Sequence, residues 1–220
     1  MACSCCTFGD TADQHFTREK VAKELERYRR EGIGRTARLL RDGLAAARLT
    51  NGTVLDVGAG LGGLTLALLD QGMARGIVVE ASAAHLAAAS EEAVRLCQSG
   101  VVQFVHGDYV TVGPHVPGAT VVTLDRVVCC YPSFESLLEQ AGRHAERSVA
   151  LSYPRDRWFV RVGLWLENLT RRLKGNPFRS FLHSPIEMQQ VLERCGFELV
   201  SRGQTSTWAA DVFVRRSRAT

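Results

Sequence analysis

No apolar run in this chain approaches the roughly 18 residues that a bilayer crossing requires. The first residues also lack the basic-then-apolar order of a targeting segment. Seven cysteines, at positions 3, 5, 6, 97, 129, 130 and 195, are odd in number, and their spacing is not that of paired zinc ligands. A disulfide scaffold is therefore not expected, and a reducing, cytoplasmic setting is. Charge of one sign is missing too. Twenty-seven Lys and Arg face 23 Asp and Glu, and a net charge of +4 does not by itself announce nucleic acid. The excess is uneven, however. Residues 18–48 hold ten basic and five acidic side chains, and residues 147–179 hold eight and two. Those segments suit either an anionic substrate or solvated helix faces.

What the chain does contain is a single ordered device. Val54 to Val57 is a short apolar run with the character of a buried parallel strand, and it breaks into Gly58-Ala59-Gly60-Leu61-Gly62-Gly63. An apolar segment of helical length follows, up to Gly72. Strand, glycine turn and helix are how an open α/β sheet holds a nucleotide-like ligand at a helix N-terminus. Gly58, Gly60 and Gly63 also satisfy G-x-G-x-x-G, which keeps an NAD-dependent oxidoreductase open. Three further features accompany the turn. Asp56 lies two residues before the first glycine, a second apolar strand, Ile77–Val79, ends in Glu80, and Gly107-Asp108-Tyr109 follows a third strand at 101–105.

This ordered set resembles the class I S-adenosylmethionine-dependent methyltransferases over roughly residues 53–215, with Asp56 to Gly62 as their first motif. The resemblance implies a Rossmann-like, seven-stranded, mostly parallel sheet with a C-terminal antiparallel hairpin, helices on both faces and an N-terminal helical cap. It also implies S-adenosylmethionine as cofactor and S-adenosylhomocysteine as product. Carried over residue by residue, Asp56, Gly58, Gly60 and Gly62 surround the methionine part, Glu80 meets the ribose, and Asp108 and Tyr109 meet the adenine. Leu124 and Asp125 fall near the methionine end. Tyr28, Arg29 and Arg30, on a leading helix, would face the site. The chain divides on this reading into a flexible cysteine-bearing tail (1–15), a helical cap (16–50) and the methyltransferase domain (51–220). A helical insertion is expected at about 155–183.

The acceptor side is less marked. Strand four runs into Leu124-Asp125-Arg126-Val127-Val128-Cys129-Cys130-Tyr131-Pro132. Nucleic-acid amino methyltransferases carry an Asn-Pro-Pro-Tyr type motif there and DNA cytosine-5 enzymes a Pro-Cys. Neither is present, so no DNA substrate is expected; an RNA methyltransferase stays an alternative, because the basic flanks could meet phosphate, but is disfavoured because its usual partner domains are not visible. The segment is similar to that of bacterial methyltransferases of unassigned substrate. More distantly, the layout resembles small-molecule O-methyltransferases, including the magnesium-protoporphyrin enzyme. A small-molecule acceptor is therefore expected, with an anionic or carboxylated aromatic compound suiting the basic flanks. Tyr131 and His183 are the candidate proton handlers, and Tyr28, Arg126, Tyr153, Arg155 and Trp158 the candidate substrate contacts. No metal site is expected, although Cys3, Cys5, Cys6, Cys129 and Cys130 leave a redox or metalloid sensor, or a non-catalytic cofactor-binding module, as alternatives. Between 155 and 183, Trp158, Phe159, Val162, Trp165, Leu166 and Leu169 recur at helical spacing among arginines. Such a stripe suits a pocket wall, a membrane surface or core packing.

Overall fold

In the computed structural model, which describes residues 8–216, the alternating pattern becomes one seven-stranded sheet. Its strands are β1 (Thr53–Val57), β2 (Arg75–Glu80), β3 (Val102–His106), β4 (Ala119–Leu124), β5 (Ala145–Pro154), β6 (Phe197–Gln204) and β7 (Trp208–Arg215). They lie in the order β3-β2-β1-β4-β5-β7-β6. β1 to β5 pair in parallel, and β7 runs antiparallel between β5 and β6. The expected architecture is therefore present, C-terminal hairpin included. Strand order reverses between β1 and β4, which opens a crevice beyond their carboxyl ends.

Nine helices surround the sheet among the described residues: α1 (Phe8–His15), α2 (Arg18–Glu31), α3 (Arg35–Ala46), α4 (Gly63–Asp70), α5 (Ala83–Arg95), α6 (Tyr109–Val112), α7 (Phe134–His144), α8 (Trp158–Leu173) and α9 (Pro185–Arg194). Side-chain alternation along the strands explains their distribution. Leu55, Val57, Val122, Leu124, Val149 and Leu151 point to the face covered by α7 and α9, where Leu137, Leu138 and Leu192 meet them. Val54, Val121, Ala150 and Val212 point to the opposite face, where Leu40, Leu44, Leu64 and Leu68 of α3 and α4 pack. The central strands β1, β2, β4 and β5 are thus apolar on both faces, as a covered parallel sheet requires, while the edge strands β3 and β6 are only partly buried.

Two boundaries differ from the sequence reading. The tail expected to be flexible through residue 15 is helical over Phe8–His15. Ala12 is buried there, and the His15 ring stacks on Phe178 with centroids 4.4 Å apart. Cys3, Cys5 and Cys6 lie outside the described residues. The helical cap expected over 16–50 is also split. α3 packs directly on β5, β6 and β7, because Gly43 has no side chain to hold it off. A Cβ at Gly43 would come within 2.8 Å of a Val212 methyl. Only α1 and α2 lie beyond the sheet layer. α2 is fastened to α5 through Arg29, whose Nε donates to Glu92 at 2.6 Å and whose Nη2 donates to Glu91 at 2.7 Å. Arg29 is therefore turned away from the crevice.

The antiparallel edge is held by a buried carboxylate. Asp211 on β7 accepts from Tyr153 on β5 at 2.8 Å and from both Nε and Nη2 of Arg202 on β6, at 2.9 and 2.8 Å. Arg202→Ala strands that carboxylate in a strand interior and should cost about 2–4 kcal/mol in a denaturant titration. Asp211→Asn keeps an acceptor for Tyr153 and should cost less.

Candidate functional site

The turn after β1 is shaped by positive φ angles that side chains resist: Gly58 at 59° and Gly60 at 55°. A Cβ on Gly58 would stand 2.6 Å from a Val127 methyl, whereas one on Gly60 would project into open space. Gly58 N–H donates back to Val79 O at 2.8 Å, so the turn is stitched to β2. Gly62, also at positive φ, caps α4 and faces Ala89 rather than the crevice.

Glu80, the last residue of β2, is the centre of the polar network. Its Oε2 accepts from Gly60 N–H at 2.7 Å and its Oε1 from Ser82 N–H at 2.8 Å. Beside it lies a cavity of about 100 Å³, lined by Gly58, Gly60, Glu80, Tyr109, Arg126 and Tyr131 among the expected residues. A larger cleft adjoins it and is bordered by Tyr28, Asp56, Asp125 and again Arg126. The two spaces share Phe16, His85, Cys130 and Phe178.

Three carboxyls stand close to these spaces in a poorly solvated setting. Asp56 accepts from Thr65 Oγ1 at 2.8 Å and Thr123 Oγ1 at 2.7 Å, and burial pushes its pKa up to about 7. Asp125 accepts from Ser152 Oγ at 2.5 Å and is likewise raised by burial. Asp108 Oδ1 accepts from the Tyr131 hydroxyl and from Val110 N–H, while its buried Oδ2 has no hydrogen-bond partner among the described residues. Burial raises this carboxyl as well. Leu124 is fully buried and lines neither space.

The proton-handling expectations meet a different geometry. Burial and the Asp108 charge hold the Tyr131 phenol well above its ordinary range, so it is a hydrogen-bond donor at neutral pH and not a base. His183 does not line either space. Its ring packs on Phe134, and its Nε2 donates to Tyr131 O at 2.8 Å, since a carbonyl can only accept. Tyr109 lines the cavity with its ring but sends its hydroxyl to His144 Nδ1. Three substrate candidates also lie elsewhere. Tyr153 is committed to Asp211, Arg155 donates to Thr205 O at 2.8 Å, and Trp158 is exposed on the outer side of α8. Residue type and chain position suggested them, but Tyr153 and Arg155 are held by hydrogen bonds of the antiparallel edge although Pro154 between them borders the larger cleft, and α8 turns its apolar side outward. Tyr28 does reach the site, resting against Gly63, where a Cβ would come 2.9 Å from its ring.

Arg126 is one of the exposed arginines that border the larger cleft, with Arg27, Arg35 and Arg38, and it lines the smaller cavity as well. It has a positive φ of 62°, and its guanidinium lies 4.8 Å from the Trp208 ring centroid. The Cys129 and Cys130 thiols both donate to Arg126 O, at 3.6 and 3.7 Å. Burial and the adjoining Cys129 thiol keep Cys130 protonated. Sequence reasoning missed His85, whose Nε2 lies 3.0 Å from Glu24 Oε2, and Phe178. Their partners sit 61 residues upstream and across the insertion, so no local spacing signals them.

No protein-family model matches the chain. Among solved structures it is similar to magnesium protoporphyrin IX methyltransferase of Synechocystis PCC 6803, with TM-score 0.73, 20% identity, and coverage of 95% of this chain and 100% of that one. An O-methyltransferase family protein of Burkholderia thailandensis gives TM-score 0.72 and 13% identity over 96% of this chain and 63% of that one. A 79-residue segment, 36% of this chain, is 39% identical to ribosomal RNA small subunit methyltransferase A of Bradyrhizobium diazoefficiens. It spans 26% of that protein's length. The fold is that of the S-adenosylmethionine-dependent methyltransferases.

Asp56 supplies a pH test. A carboxyl whose folded pKa lies above its unfolded value binds its proton more tightly when folded, so stability is lost as pH rises from about 4 to 7. Asp56→Asn removes that titration and keeps both threonine partners within reach. Denaturant midpoints measured across this window should fall less steeply in the variant, by at most about 1.4 kcal/mol per pH unit.

Proposed function

We propose that the chain is an S-adenosylmethionine-dependent methyltransferase acting on a small-molecule acceptor with an anionic group, a carboxylated aromatic compound being the class that suits it best. The observation that carries this reading is the Glu80 carboxylate. It braces the glycine turn at Gly60 and borders the same cavity as Gly58 and Tyr109. A carboxylate has lone pairs beyond the two it spends on Gly60 and Ser82, enough to accept from a ribose diol. The unpartnered Asp108 Oδ2 suits an adenine amine, and the open space above Gly60 is where a Cβ would obstruct a ligand. Asp56 and Asp125, both short of solvation, favour an ammonium group. The residues present therefore fit this cofactor.

When bound, the sulfonium donor supplies an already activated methyl group. The chain has to hold the acceptor in line and keep water away. Arg126, with no ion pair among the described residues, supports recognition of an anionic acceptor over the crevice. A carboxylate acceptor needs no general base, which agrees with Tyr131 being held protonated. The likeness to a ribosomal RNA methyltransferase favours RNA as a second reading. It predicts acceptor binding that weakens steeply with salt.

Calorimetric titration with S-adenosylhomocysteine, with NAD alongside, is the test. Binding of the former alone is expected, and binding of NAD alone overturns the reading. Glu80→Ala should weaken S-adenosylhomocysteine binding by about 10- to 100-fold through lost charge-assisted hydrogen bonds. Glu80→Gln, which still braces Gly60, should lose less.

A further inference from the structure

α8 is amphipathic the wrong way round for a helix packed on a core. At roughly 100° per residue, Trp158, Val162, Trp165, Leu166, Leu169 and Leu173 fall within an arc of about 100°. All six are exposed, Trp158 by 76%, Trp165 by 63% and Leu173 by 78%. The polar side of the helix faces the protein instead. Asn168 Nδ2 donates to Ser180 O at 2.8 Å and its Oδ1 accepts from Ser180 N–H at 2.9 Å. Arg171 donates to Ser180 Oγ at 2.8 Å and lies over the Phe178 ring. Val160 is the one buried residue of the helix. The helix is thus fastened by hydrogen bonds, and its apolar stripe is left uncovered.

The charges around the stripe indicate what covers it. Arg161 and Arg172 border it along one edge, and exposed Arg157 and Lys174 stand at its two ends. Asp156 pairs with Arg161 at 2.6 Å, and Glu167 sits on the far side of the helix, held by Arg171. A net positive rim remains around an apolar, tryptophan-bearing face. That combination matches the headgroup region of an anionic bilayer, where indole rings sit at the interface and arginines meet lipid phosphate. A second copy fits poorly. A two-fold contact sets each patch against its own image, and the arginine edge would find no unpaired acid there.

We propose that α8 docks this protein on an anionic membrane surface, lying in the plane of the headgroups with its stripe inserted. No helix of the described residues is long and apolar enough to cross the membrane, so the attachment is peripheral. The proposal does not depend on the methyltransferase reading, because its test involves neither cofactor nor acceptor.

The test is sedimentation of the full chain with vesicles rich in phosphatidylglycerol and, in parallel, with vesicles of phosphatidylcholine alone. Partition into the anionic vesicles at low salt, with a blue shift of tryptophan emission, is expected. Substituting Trp165→Ser, Leu169→Ser and Leu173→Ser together should lower the partition coefficient by at least about ten-fold. Arg161→Glu with Arg172→Glu should lower it comparably, and the wild-type signal should fall with added salt. Melting curves establish that each variant is folded, and the charge-reversed pair decides the matter if the serine variant is not. Failure of the wild-type chain to bind anionic vesicles overturns the proposal. So does equal binding by the folded variants, or a dimer in sedimentation velocity that the serine substitutions dissolve.

Discussion

The Glu80 carboxylate connects parts of the molecule that the chain brings from far apart. It takes the N–H of Gly60 in one loop and that of Ser82 in the next, fixing the distance between the ends of β1 and β2. Ser82 in turn caps α5, its Oγ accepting from His85 N–H at 3.3 Å. The His85 ring then meets Glu24 on α2. One continuous line of hydrogen bonds therefore runs from the glycine turn, through the N-terminus of α5, to the helix that overhangs the crevice. The Arg29 pairs with Glu91 and Glu92 hold the other end of the same α2–α5 contact.

The crevice is also built against the usual economy of burial. Asp56, Asp108 and Asp125 are all drawn toward neutrality by desolvation. Hydroxyls supply most of their hydrogen bonds, and no lysine or arginine pairs with any of them among the described residues. Hydroxyl donors orient a carboxylate without neutralising it, so its attraction for a cation is retained. A ligand carrying an ammonium group relieves that unfavourable setting when it binds. This is the electrostatic argument behind the proposed cofactor, and a dianionic dinucleotide would meet it with repulsion. Arg126 provides the opposite sign at the outer side of the same space.

The sheet was legible because the parallel strands are short apolar runs that end at or just before a glycine, an acid or a proline. All seven strands read from the sequence are present, although β5 begins four residues earlier, at Ala145, in a segment with exposed Glu146 and Arg147 that carries no apolar signal. Gly58, Gly60 and Glu80, expected around the cofactor, line one cavity, and each carries a backbone constraint that the sequence marks. Side chains chosen for chemical type alone fared differently. His183, Tyr153 and Arg155 are each occupied by a structural hydrogen bond that only the tertiary fold provides. α3 was misread as cap because its sheet contact rests on the absence of a side chain at Gly43, which composition and periodicity do not reveal. The spacing of α8 marked an apolar stripe correctly, but periodicity is blind to which way a stripe faces.

That last ambiguity has a physical resolution. A helix is turned by whichever of its sides finds the better partners, and α8 has Asn168 and Arg171 satisfied by Ser180 on the inner side. Rotating the stripe inward would turn those two side chains out to water and leave the Ser180 N–H, C=O and hydroxyl facing apolar surface without partners, which would offset part of the gain. The outward stripe thus goes with the hydrogen bonds that fasten the inner side of α8. The inner side of the same helix contributes Leu164, Glu167 and Arg171 to the wall of the larger cleft. Docking through α8 would therefore hold that cleft beside the headgroup layer. Flat, apolar molecules with an anionic group accumulate at this depth of a bilayer, which is the chemistry of the proposed acceptor.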